Sequence, residues 1–99
     1  MTNTLIIKPN WNPKKGSIYK VINKNGHAIN SLSKAPFSEK YLFKYINKND
    51  LFLFLGKQES IPEHYSFYQI LFGDKVVWMS YPWRQYHNND KIDFPIKLI

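Results

Sequence analysis

Cysteine is missing from the 99 residues, so neither a disulfide framework nor a thiolate metal site can form. That agrees with a reducing compartment. Long apolar runs are missing too. The longest, Leu51 to Leu55, falls far short of the roughly 20 residues a membrane-crossing helix needs. Leu5-Ile6-Ile7 is too short for the apolar centre of a secretory leader. The expectation is a soluble, cytoplasmic protein with no membrane contact. Arginine is scarce: of 14 basic residues only Arg84 is an arginine. This weakens any case for specific phosphate recognition, which favours the planar guanidinium fork. No glycine-rich phosphate loop, serine nucleophile elbow or pair of catalytic carboxylates is present. An enzyme is therefore not expected, and no cofactor is implied.

What the chain does hold is aromatic surface and lopsided charge. Ninety-nine residues make one domain, long enough to bury roughly 60–70% of the unfolded chain's surface. Aromatics at 17% supply that core generously. Residues 1–50 carry nine lysines against Glu39 and Asp50, whereas residues 51–99 balance, so the whole excess of +7 lies in the first half. A basic surface attracts polyanions, and it also keeps a small domain soluble. The lysines at issue are Lys14, Lys15, Lys20, Lys24, Lys40, Lys44 and Lys48. They make nucleic acid the alternative partner.

Along the chain, residues 1–16, with Trp11 between Pro9 and Pro13, read as an extended arm. Ser17 to Ile22 reads as a strand. Asn23-Lys24-Asn25-Gly26 reads as an Asn-Gly turn, and His27 to Leu32 as a returning partner strand. Glu39 to Ile46 fits helical and strand spacings, and its aromatic content favours a strand or irregular segment. Asn47 to Asp50 is a turn. Leu51 to Leu55 is a buried strand ended by Gly56, and Lys57 to His64 a polar loop. Tyr81 to Tyr86 suits a 3₁₀ turn. Ile92 to Leu98 is a last strand, which Pro95 places at an edge or bulge. Five principal strands result, and closing them into a small barrel removes exposed edges.

The strongest local signal lies between Phe67 and Ser80. Two runs rich in aromatic and β-branched residues flank Gly73-Asp74, a two-residue hairpin break. The register follows: Phe72 opposite Lys75, Leu71 opposite Val76, Ile70 opposite Val77, Gln69 opposite Trp78 and Tyr68 opposite Met79. Tyr68, Ile70, Phe72, Val77 and Met79 then face inward. Phe67, Gln69, Leu71, Val76, Trp78 and Ser80 face outward. The apolar part of that outer face is either an open contact surface or lies beneath the arm or the long segment after the first strand.

This order of elements resembles the SH3-like small barrels, over residues 16–98. A first strand, a long RT-type loop over Asn23–Asp50, an n-Src-type loop over Lys57–His64, a distal hairpin, a 3₁₀ turn and a closing strand fill the slots. It looks most like short SH3-like proteins encoded by bacteriophages. Asn49-Asp50-Leu51-Phe52 matches their strand start, and Tyr68 to Trp78 their hairpin. The resemblance implies an all-β, single-domain SH3-like barrel over 17–98 with an arm over 1–16, located in the host cytoplasm. The Ala-Leu-Tyr-Asp-Tyr signature of eukaryotic relatives is missing. The RT-type segment is basic where readers of proline-rich peptides are acidic, so an Arg-bearing Pro-rich ligand is not expected.

By the same resemblance the ligand groove is lined by Tyr65, Pro82, Trp83 and Tyr86, with Tyr41 or Tyr45 from the long excursion. Tyr65, Phe67, Trp78, Pro82, Trp83 and Tyr86 form the expected protein-binding set. The functional expectation is a small non-enzymatic module that docks on a protein partner, as a monomer or small homo-oligomer. The alternatives are nucleic-acid binding, with aromatic rings stacking bases beside the lysines, and a homo-oligomeric structural component. His27, His64 and His87 lie far apart beside turns and read as solvated loop residues. The Glu63-His64 and His87…Asp90…Asp93 spacings lack a third metal ligand.

Overall fold

In the computed structural model the Gly73-Asp74 break forms the tip of a hairpin. The model describes residues 8–30, 44–61, 65–82 and 93–98. Gly73 carries a φ of 62° and Asp74 does not share that sign. This is the pattern of a II′ turn, whose twist matches the strands it joins. The flanking strands pair from Phe72–Lys75 back through Tyr68–Met79, in the register the sequence predicts, and continue to Tyr65–Pro82.

Among the described residues there are seven strands: β1 (Ile18–Lys20), β2 (His27–Asn30), β3 (Lys44–Ile46), β4 (Leu51–Ile61), β5 (Tyr65–Phe72), β6 (Lys75–Pro82) and β7 (Ile96–Lys97). They form one strongly curled antiparallel sheet, a half-barrel, in the order β3-β2-β6-β5-β4-β1-β7. No helix occurs among the described residues. None is therefore long and apolar enough to cross a membrane.

Several local expectations are corrected. β2 does not return along β1. It pairs with β3 and β6, while β1 pairs with β4 and β7. The Asn23–Gly26 turn does form, with the Gly26 amide donating to the Asn23 carbonyl at 2.9 Å. Val21 is already engaged, however. Its amide donates to Asp50 O and its carbonyl accepts from Asn49 N, so the turn redirects the chain instead of closing a hairpin. Gly26 fits because a side chain there would run into the carbonyl oxygen of Ile46, and its φ of 68° is one that L-residues avoid.

Gly56 does not end the fourth strand either. Between the Phe54–Ile70 and Gln58–Tyr68 pairs, β4 advances four residues against two on β5. The even surplus makes a bulge that leaves every later side chain on its original face. Lys57–Ile61 is thus strand and not loop. Tyr81 and Pro82 belong to β6, and the remainder of the expected 3₁₀ turn lies outside the described residues. The five expected strands become seven because β3 is a strand and the excursion between β1 and β4 carries β2 as well. The last strand is confined to Ile96–Lys97 at the sheet edge.

The concave face holds the core: Tyr19, Val21, Ile29, Ile46, Phe52, Phe54, Tyr68, Ile70, Val77, Met79 and Tyr81 are buried there. All five inward hairpin residues join it, Phe72 and Phe94 packing at its margin. Trp11 is its hub. Its ring meets Tyr19, Phe52, Phe54, Tyr68 and Tyr81 at centroid distances of 4.8–6.3 Å and stacks on Phe94 at 6.1 Å. Around Trp11, then, the segment expected to be an arm is part of the core. Tyr68 donates its hydroxyl to the Trp11 carbonyl at 3.5 Å, and Lys14 donates its amide to Tyr19 Oη at 2.6 Å.

Candidate interaction surface

Because side chains alternate along a strand, residues paired across strands share a face. Ile18 pairs with Leu53, Leu53 with Leu71, and Leu71 with Val76. Four aliphatic side chains therefore line up across β1, β4, β5 and β6 on the convex face, opposite Tyr19, Phe52, Ile70 and Val77. A second row lies one pleat away: Leu51 pairs with Lys20, and Lys20 with Ile96. Four of these aliphatic residues are open to solvent. Leu51 and Val76 are 50% exposed, Ile18 and Ile96 47%, and Leu53 and Leu71 are partly buried. At strand spacings of about 4.8 Å the first row runs ~14 Å. A contiguous exposed apolar stripe of this kind marks a contact surface more often than scattered single residues do.

The same convex face is closed at its other end. Trp78 and Phe67 are fully buried, with Tyr65 packed against them in a second cluster. The open alternative for Phe67 and Trp78 is thereby corrected: both side chains are withdrawn from solvent. Trp11 is not their cover, since it sits in the core on the opposite face. Lys57 lies over the Trp78 indole, its Nζ 5.5 Å from the ring centroid, and pairs with Glu59 at 3.3 Å. The buried Trp78 Nε1–H has no hydrogen-bond partner among the described residues. Tyr65 and Pro82 pair across the hairpin. Trp83, Tyr86, Tyr41 and Lys40 lie outside the described residues. Tyr45 is 61% exposed on edge strand β3.

The described lysines are spread over several elements. Lys24 and Lys48 sit in adjacent turns, joined through Gly26–Ile46 and Val21–Asp50. Lys14 and Lys15 lie elsewhere, beside β4, where the Lys15 side chain covers Gly56 and Gly16 bonds to Phe54 O. Lys44 is exposed on β3. Lys20 stands between Leu51 and Ile96, within the apolar stripe, and has no ion-pair partner among the described residues.

One histidine departs from expectation. His27 is buried, its ring 4.9 Å from that of Tyr81 and its Nε2 3.5 Å from the Tyr81 hydroxyl. It sits inside because its partner Ile46 is a core residue. Burial disfavours the imidazolium and lowers its pKa to about 4, against a smaller upward pull from Asp93. Burial likewise pushes the Tyr81 and Tyr68 hydroxyls up, so both stay neutral. His64 and His87 lie outside the described residues.

Sequence reasoning found Leu71 and Val76 on the outer face but missed Ile18, Leu53, Leu51 and Ile96 as their neighbours. Alternation within each strand was available, but the pairing that aligns the strands was not. Comparison of the chain with protein-family models, curated proteins and solved structures gives no match.

Proposed function

We propose that the chain is a small non-enzymatic binding module that docks on a protein partner through the convex apolar stripe. The observation carrying this is the in-register exposed row Ile18–Leu53–Leu71–Val76, with Leu51 and Ile96 beside it. A folded chain gains nothing from leaving four of these aliphatic side chains half exposed beside two partly buried ones, whereas a partner gains their burial. The order of elements, with its tight distal hairpin and edge-placed last strand, supports an SH3-like barrel of the kind phages encode. The fully buried Phe67 and Trp78 act in this reading as structural support. The aromatic groove of Tyr65, Pro82, Trp83 and Tyr86 is a second element of the proposal, resting on that likeness.

The test is chemical cross-linking in the native host extract, comparing wild type with an Ile18→Lys/Val76→Lys variant and with Trp83→Ala. The stripe variant should keep its thermal midpoint, because both side chains are half exposed, and lose the cross-linked species. Retention of that species by the stripe variant would remove the stripe from the proposal. Loss in Trp83→Ala alone would move the contact to the groove. A bound species that is nucleic acid, with affinity falling steeply in salt, would favour the lysines instead.

A further inference from the structure

We infer that the partner of the convex stripe is an acidic amphipathic segment whose carboxylate meets Lys20, an assignment that rests on the docking reading above. The geometry points there in two steps. First, apolar burial here is incomplete as a driving force. Ile18, Leu51, Val76 and Ile96 are already about half buried, so covering them gains only part of what a fully exposed side chain would give. Association must also offset the lost translational and rotational freedom of both molecules. A directed polar contact adds to the apolar gain and fixes the partner's register.

Second, the stripe contains one charge positioned for that contact. Lys20 lies on β1 between Leu51 on β4 and Ile96 on β7, all on the same face. Unlike Lys57, which is held by Glu59, it has no ion-pair partner among the described residues. Covering the stripe removes water from the Lys20 ammonium, which is costly unless a carboxylate replaces it. A second copy of the chain fits poorly. It would bring Lys20 against a similar face, and each copy carries a formal charge of +7. An acidic segment with alternate apolar side chains satisfies both demands.

The experiment uses the full, isotope-labelled chain and three soluble peptide probes of equal length. One carries leucines and glutamates, one the same leucines with lysines, and one glutamates with serines. The leucine–glutamate peptide should shift the resonances of Ile18, Leu53, Leu71 and Val76 and bind about tenfold more tightly than the leucine–lysine peptide. Lys20→Glu should reverse that preference without changing the fold.

Equal response to both leucine peptides, or a preference untouched by Lys20→Glu, overturns the assignment of Lys20 while leaving the stripe as a docking surface. No response to either leucine peptide overturns both. An equal response to the glutamate–serine peptide shows plain polyanion attraction and overturns the apolar part. Line broadening of the stripe resonances with protein concentration alone, without peptide, assigns the face to self-association and overturns the acidic partner.

Discussion

Lowering the pH should weaken this fold through His27, by an amount the structure sets. In the folded chain its pKa is about 4, whereas the exposed imidazole of the unfolded chain titrates at 6.5. Between those values the unfolded state binds more protons than the folded state, so stability falls as pH falls. The contribution is complete above pH 6.5 and is lost progressively as the pH drops toward 4. A separation of 2.5 pH units corresponds to about 3 kcal/mol, of which about 2 kcal/mol is gone by pH 5.

Urea unfolding at pH 7.5, 6.5, 5.5 and 5.0 measures this directly, with His27→Gln as comparison. His64 and His87 are common to both proteins and cancel in the difference. The Tyr81 hydroxyl beside the ring stays neutral throughout because burial raises its pKa. The wild type should lose about 2 kcal/mol more than the variant on going to pH 5, even though the variant starts less stable. Parallel curves, or a His27 resonance titrating near 6.5, would refute the burial of the neutral ring.

The other predictions rest on packing and backbone. Trp11→Ala removes the ring that six aromatic neighbours surround and should cost about 3–5 kcal/mol in chemical denaturation. A cost under ~1 kcal/mol would mean the N-terminal segment is dispensable. Gly26→Ala and Gly16→Ala separate two effects, since both positions have positive φ but only Gly26 abuts backbone. The Gly16 change should cost about 1–2 kcal/mol from the dihedral alone, and the Gly26 change clearly more. Equal midpoints in thermal unfolding would contradict that contact. Val76→Lys, by contrast, should stay within ~0.5 kcal/mol of wild type, because the side chain is half exposed.

The difference between what was legible and what was not follows the range of the interactions. The hairpin register was readable because a two-residue turn and a period of two determine it locally. The inward set from Tyr68 to Met79 followed without further information. The Asn23–Gly26 turn was equally readable as a turn, but its chemistry says nothing of where the next strand docks. The bonds between Val21 and Asn49–Asp50, some 28 residues away, decide that. Lys57 to Ser60 looked like a loop because its residues are polar, yet a strand with a solvated face needs little more than pairing partners, and β5 supplies them. Trp11 was masked by its flanking prolines. Prolines keep a segment out of helix and sheet, but such a segment can still lay a large ring into an aromatic core.

The convex face carries the same lesson into function. Alternation placed Phe67, Trp78, Leu71 and Val76 on one side of the hairpin and could go no further. The structure then divides that side. At one end Phe67 and Trp78 are sealed. At the other, Leu71 and Val76 continue into Leu53 and Ile18, with Val76 and Ile18 half exposed and the two leucines partly buried between them. A face that is covered along half its length shows that the chain can shield apolar surface here. The uncovered half, with Lys20 set into it, is the part that the proposed partner covers.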